Sequence, residues 1–210
     1  MNQTRIFNLA DITAQELTEL AHALDKGAVA ALPTDTVYGL ATGAYCEEGI
    51  QRIYRLKNRP ATSPLQLLAA STEQAHEIAQ FSPEAEKLAR RFWPGALTMV
   101  LPPTVRGQAL TRGFAGLGIR VPGYQFLQRL LKEMSGVLAS TSANVHGQKV
   151  ITQEEILLDT FNGQVDYLIK TGTLSPVASS VVDLTGCPRL LREEAISRVA
   201  LEGLLGKRLD

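Results

Sequence analysis

Apolar positions recur along this chain in two rhythms, and the rhythms take turns. At helical spacing, Leu17, Leu20, Ala21 and Leu24 follow Thr13-Ala14-Gln15-Glu16, whose Thr and Glu stand at capping-box separation, and Gly27 stops the run. Comparable stripes predict a helix over 47–57 with Ile50, Ile53, Tyr54 and Lys57 on one side, and others starting at the Ser71-Thr72-Glu73-Gln74 box and at Ser82-Pro83. Three more are predicted over 124–134, after Thr152-Gln153-Glu154-Glu155, and over 197–205. Between them, short apolar runs predict strands at 6–9, 28–32, 37–41, 64–69, 96–101, 117–121, 137–139, 167–170, 181–184 and 189–192. The last two are joined by a hairpin-like Thr185-Gly186-Cys187-Pro188 turn. Strands and helices alternate without strict βα units, so the expected fold is α/β, a twisted mixed sheet with packed helices. Ligands of such sheets sit in loops at strand ends.

Composition narrows the class. A chain of 210 residues, 45% hydrophobic and 20% charged, matches an ordinary globular protein and is expected to form one domain, residues 1–210. Its formal net charge is zero, so phosphates must be held by local Lys and Arg clusters, and nucleic acid only weakly and with strong salt dependence. Cys46 and Cys187 lie far apart and form no Cys-x-x-Cys pair, which suggests neither a disulfide framework nor a zinc site. The N-terminus has no apolar leader, and no run reaches the length of a membrane span, so a cytoplasmic location is expected.

Two strand ends carry small hydrogen-bonding residues: Leu32-Pro33-Thr34-Asp35-Thr36-Val37-Tyr38-Gly39-Leu40 and Ser140-Thr141-Ser142-Ala143-Asn144. The first reads equally as a tight turn, in which Asp35 bonds its own backbone, or as a site. Arg120 lies inside an apolar strand and must face solvent, pair with an acid or reach a cleft. Lys57 and Arg59 fall where Pro60 ends a helix, which the helix dipole alone would favour. His22 and Trp93 are expected to be structural, and His76 to lie on a solvated helix face. Walker, dinucleotide, zincin and nucleophile-elbow signatures are absent. What remains, hydroxyl and amide loops together with Lys57, Arg59, Arg120 and Arg192, suits an anionic ligand.

Pro33-Thr34-Asp35-Thr36-Val37-Tyr38-Gly39-Leu40, Lys57-Asn58-Arg59-Pro60, Ser140-Thr141-Ser142-Ala143-Asn144 and Ser179-Ser180-Val181-Val182-Asp183, in that order, resemble the motifs of the YrdC-like threonylcarbamoyl-AMP synthases. The resemblance covers nearly the whole chain. It implies a sheet around a concave basic cleft, and the joining of ATP, L-threonine and bicarbonate into threonylcarbamoyl-AMP with release of pyrophosphate, for N6-threonylcarbamoylation of adenosine 37 in tRNA. In that reading Lys57, Arg59, Ser63, Ser142, Asn144 and Arg192 face the nucleotide, with Lys57, Arg59, Ser142 and Asn144 the catalytic set. Arg120 would fork onto the threonine carboxylate, and Thr34, Thr36, Thr141, Ser179 and Ser180 would line the amino-acid pocket. Mg²⁺ is expected with ATP, held mainly by phosphates and water rather than by a protein cage. Partner proteins are expected to complete transfer to tRNA, as in the short, single-domain members. Loops 102–113 and 171–178 are candidates to close over the site.

Two departures bear on substrate contacts. His146 stands where the family usually has Ser, and Leu67-Leu68 occupy a stretch where many members carry a histidine. The rival reading is an RNA-binding or ribosome-associated protein of the YciO-like branch, which lacks the Ser-x-Asn pair present here as Ser142 and Asn144.

Overall fold

The computed structural model describes residues 3–58, 63–145, 147–175 and 177–210. Among the described residues one sheet holds ten strands: β1 (Arg5–Asn8), β2 (Ala30–Leu32), β3 (Gly39–Gly43), β4 (Gln66–Leu68), β5 (Leu97–Leu101), β6 (Leu117–Arg120), β7 (Leu138–Ser142), β8 (Tyr167–Lys170), β9 (Ser180–Asp183) and β10 (Arg189–Arg192). The helices are α1 (Ala14–Asp25), α2 (Glu47–Lys57), α3 (Thr72–Ile78), α4 (Pro83–Phe92), α5 (Gln125–Glu133), α6 (Glu154–Phe161) and α7 (Arg198–Leu205). Across the sheet the order is β1-β8-β2-β3-β7-β4-β6-β5-β9-β10. The pairs β1/β8, β8/β2, β4/β6 and β5/β9 are parallel and the others antiparallel, so the sheet is mixed, as the alternation of elements predicts.

Local chemistry sets most helix starts. Thr13 Oγ1 accepts from Glu16 N at 3.2 Å while Thr13 N donates to Glu16 Oε2 at 2.9 Å, completing the box ahead of α1. Ser71 and Ser82 cap α3 and α4 through their hydroxyls alone, accepting from Gln74 N and Ala85 N at 3.3 Å each. Thr152 does not cap α6, which begins one residue later behind Gln153. The Thr152 carbonyl instead accepts from Leu174 N at 2.8 Å, and the Glu154 carboxylate accepts from Gly172 N at 2.6 Å. A tertiary contact with the loop after β8 has replaced the local cap.

Two further differences concern the loops. β7 extends past the predicted 137–139 to Ser142, because β3 supplies backbone partners along its length, ending with Gly39 opposite Ser142. Segment 102–113 is fastened to α3. It contains a 3₁₀ turn (Arg106–Leu110), Thr104 Oγ1 donates to Glu77 O at 2.7 Å, and Gly107 lies so close to α3 that an added Cβ would be 1.8 Å from Ile78 O.

Strand alternation divides the sheet. Leu67, Leu97, Met99, Ile119, Ala139 and Val182 face α3, α4 and α7, where Trp93 is buried with Nε1 donating to Leu97 O at 2.7 Å. On the opposite face, α1 and α5 cover β1, β2 and β8, together with Leu68 and Leu138 at the ends of β4 and β7. The remaining part of that face carries Gln66, Thr98, Gly118, Arg120 and Ser140. No helix among the described residues is long and apolar enough to cross a membrane.

Candidate active site

A cavity of about 300 Å³ opens on this part of the sheet. Of the residues singled out in the sequence, it gathers Thr36, Arg120, Thr141, Ser142, Ser179 and Arg192 on its walls. Gln66, Thr98 and Ser140 join them there. Period-two alternation aims each of these three toward the same side as Arg120, but only the strand order makes them neighbours, so the sequence singles out none of them for this role.

The first motif is both turn and wall. Arg120, 1% exposed, donates from Nε to Gly95 O (2.9 Å), from NH1 to Thr36 Oγ1 (3.3 Å) and from NH2 to the Asp35 carboxylate. Asp35 Oδ2 also accepts from Gly123 N at 2.9 Å. Asp35 is thus the counter-ion that makes a buried guanidinium tolerable in β6. Each terminal nitrogen of Arg120 keeps a second N–H for a ligand. Thr34 is placed behind Thr36 and off the cavity wall: its Oγ1 donates to Val37 O at 2.7 Å and accepts from the backbone N of Thr36 and Val37.

Lys57 closes the Ser-x-Asn segment. Buried at the end of α2, its ammonium donates to Ser142 O, to Asn144 O at 2.7 Å and to Asn144 Oδ1 at 2.8 Å. Ser142 Oγ donates to the same Oδ1 at 2.6 Å, and Asn144 Nδ2 donates to Gln148 O at 2.7 Å. Lys57 thereby shapes the strand end that carries Ser142, and its positive charge lies immediately beneath it. Arg59 and His146 lie outside the described residues. Ser63 is off the cavity wall and its carbonyl accepts from Tyr54 OH at 2.9 Å. Leu67 and Leu68 are both core residues, so the side chain that β4 offers to the cavity is Gln66.

At the rim Arg192 donates from Nε to Ser179 O at 2.8 Å and from NH2 to Ser179 Oγ at 3.0 Å. The residue is exposed, but its guanidinium is drawn in against Ser179. This partial removal from water pushes its pKa down, Glu194 opposes the change, and the positive charge of Arg120 adds to it. Two cations that feel each other across one cavity make it a site for anions. The Ser180 hydroxyl points elsewhere, donating to Ile196 O at 2.8 Å and accepting from the backbone N of Glu194 and Ile196.

No group of three or more His, Cys, Asp or Glu among the described residues could hold a metal, and the nearby carboxylates of Asp35 and Asp183 are engaged by Arg120 and Arg189.

A family model, Sua5_yciO_yrdC, described as telomere recombination, matches residues 22–194. The chain belongs to this family. Among its relatives, the threonylcarbamoyl-AMP synthase of Pyrococcus abyssi is 37% identical over 186 residues, which is 87% of this chain and 55% of the relative. That of Bacillus subtilis is 32% identical over 196 residues, 91% of this chain and 57% of the relative. The family member described here therefore spans little more than half the length of these two synthases. A solved structure described as P. abyssi Sua5 complexed with L-threonine superposes with a TM-score of 0.90 at 34% identity, covering 99% of this chain and 63% of that one.

Proposed function

We propose that this chain is an L-threonylcarbamoyladenylate synthase, a nucleotidyltransferase that joins ATP, L-threonine and bicarbonate, releases pyrophosphate and serves tRNA N6-threonylcarbamoyladenosine-37 modification. The observation that carries the reading is the convergence of Arg120 and Arg192 with the hydroxyls of Thr36, Ser142 and Ser179 on one cavity. Kinship at this level with a protein described as complexed with L-threonine supports it.

The residues divide the work by charge. Arg120 offers its two remaining N–H groups to the threonine carboxylate while Asp35 and Gly95 hold it rigid. The threonine amine and bicarbonate form a carbamate as a C–O bond of bicarbonate breaks and water leaves, and the carbamate oxygen attacks the α-phosphorus of ATP while the P–O bond to pyrophosphate breaks. Arg192, with Arg59, offsets the phosphate charge, and the Lys57-braced Ser142 and Asn144 orient the nucleotide. Mg²⁺ would arrive on the ATP phosphates and offset their charge. With no side chain acting as covalent nucleophile, the catalytic contribution is to hold labile anions in register and keep water out. Transfer of the product to tRNA falls to partner proteins, and any direct contact with tRNA or double-stranded RNA is weak.

The test is incubation with ATP, bicarbonate and L-threonine while pyrophosphate is followed. Threonine-dependent release is expected. Its absence would overturn the synthase reading and favour the RNA-binding one.

A further inference from the structure

The rim arginine imposes a direction on the hydroxyls behind it. A guanidinium can only donate, so Ser179 Oγ accepts from Arg192 NH2 at 3.0 Å. The Ser179 proton then turns to Thr98 Oγ1, 3.0 Å away, because Thr98 commits its own proton to Gln66 Oε1 at 3.1 Å. The chain runs one way, from the rim to the cavity floor, and ends on an amide oxygen. Gln66 is held with its carbonyl toward Thr98, its NH₂ group has no partner among the described residues, and the residue lies on the cavity wall.

The backbone makes this reach feasible. Gln66 lies on β4 and Thr98 on β5, with β6 between them, a separation of roughly 10 Å at the usual strand spacing. The residue of β6 level with Gln66 is Gly118, one step from the Leu67–Ile119 pair; its missing side chain leaves room for the Thr98 methyl 3.7 Å from its would-be Cβ, while Arg120 stands level with Thr98 itself. On its other flank Gln66 pairs in register with Ser140, whose Oγ is buried and has no partner among the described residues. A fixed neutral donor beside an unsatisfied hydroxyl suits a neutral oxygen that both accepts and donates. The charged groups of the cavity, Arg120 and Arg192, are better matched to carboxylate and phosphate.

We propose that Gln66, positioned by Thr98, Ser179 and Arg192, is a specificity-determining residue that donates from Nε2 to the side-chain hydroxyl of the amino-acid substrate, with Ser140 Oγ completing that hydroxyl's hydrogen bonds. The inference rests on L-threonine being the amino acid bound, as proposed above. L-Valine has the same shape with a methyl in place of the hydroxyl, and in this cavity it would leave the amide and the serine unmatched, which is how a polar site rejects an isostere.

Calorimetric binding of L-threonine and L-valine to the wild type, Gln66→Met and Gln66→Glu tests this, with thermal melting as a check on folding. The wild type is expected to prefer threonine. Gln66→Met should lower threonine affinity about tenfold and leave valine affinity little changed. Gln66→Glu has the same length and no N–H, should lose the preference as well, and decides the matter if the methionine variant does not melt cooperatively. A wild-type threonine-to-valine ratio in the folded variants, or a wild type that binds no threonine, overturns the proposal. Pyrophosphate release in the same samples separates the two readings. Release with an unchanged ratio keeps the synthase and removes Gln66's role, whereas a ratio that depends on Gln66 without release keeps the recognition and removes the synthase.

Discussion

Two buried hydroxyls, Thr42 Oγ1 and Ser140 Oγ, lack partners among the described residues, and their surroundings assign them opposite consequences. Ser140 faces the cavity, where a ligand can satisfy it. Thr42 lies in β3 against α2, so close to the Gly49 backbone that a Cβ there would come within 2.2 Å of Oγ1. Thr42 is not on the cavity wall, and a buried hydroxyl without a partner is a net cost. Thr42→Val keeps the shape and removes the unmatched group, so it should raise unfolding stability by about 1 kcal/mol in denaturant titration, and a loss of stability would overturn that reading. Asp35 carries the reverse expectation. Its removal strands Arg120, at 1% exposure, without its counter-ion, so Asp35→Ala should lower stability by about 3 kcal/mol in the same titration. The sequence leaves Asp35 open between turn-former and participant, because its partner is 85 residues away.

At the scale of elements, the strength of a local signal decides how far it can be trusted. Thr13, Ser71 and Ser82 cap helices as their spacing predicts, because capping involves neighbouring backbone. Thr152 fails because Leu174 and Gly172, from another loop, engage Thr152 and Glu154. The loop after β8 is held from a second direction too. Tyr38 OH accepts from Thr171 N at 3.0 Å and donates to Gly172 O at 2.7 Å, and burial pushes the phenol's pKa up, against the opposing effect of the Thr171 bond. Tyr38→Phe removes both bonds and should cost about 1–2 kcal/mol of stability. Amide exchange should accelerate at Thr171 while β3 and β7 stay protected, and unchanged exchange there would count against this fastening role. Of the two loops expected to close over the site, 102–113 is bonded to α3, and 171–178 leaves β8 under Tyr38 before Ala178 and Ser179 reach the cavity wall.

At the scale of the whole molecule, β10 returns antiparallel along β9, with a register irregularity between Leu190 and Arg192, and so brings Arg192 back over Ser179. Asp183 secures this hairpin. Burial pushes its carboxyl pKa up, but hydrogen bonds from Arg189 (2.7 Å), Thr185 N (2.9 Å) and Thr185 Oγ1 (2.7 Å) outweigh burial and leave it below its ordinary value. A carboxyl whose folded pKa lies below its unfolded one contributes stability in full above the unfolded value, about 4, and loses it as pH falls through the folded value. The stability advantage of the wild type over Asp183→Asn should therefore be level from pH 5 to 8 and shrink below about pH 4, as read by thermal melting across that range. A difference that stayed constant to low pH would exclude the carboxylate as its source.

The sequence by itself determined the succession of helices and strands and the places where small polar residues interrupt them. Periodicity and capping are properties of neighbouring residues, and they survive without knowledge of the rest. It also displayed Arg120 as a charge that needed an explanation. Only the tertiary structure decided that Asp35 supplies it, that Thr34 and Ser180 turn away from the cavity, and that Gln66 on β4 and Thr98 on β5, with Gly118 of β6 between them, form one hydrogen-bonded line with Ser179 just before β9. Those contacts depend on strand order, which backbone pairing and burial settle among segments far apart in the chain, and no local pattern encodes it.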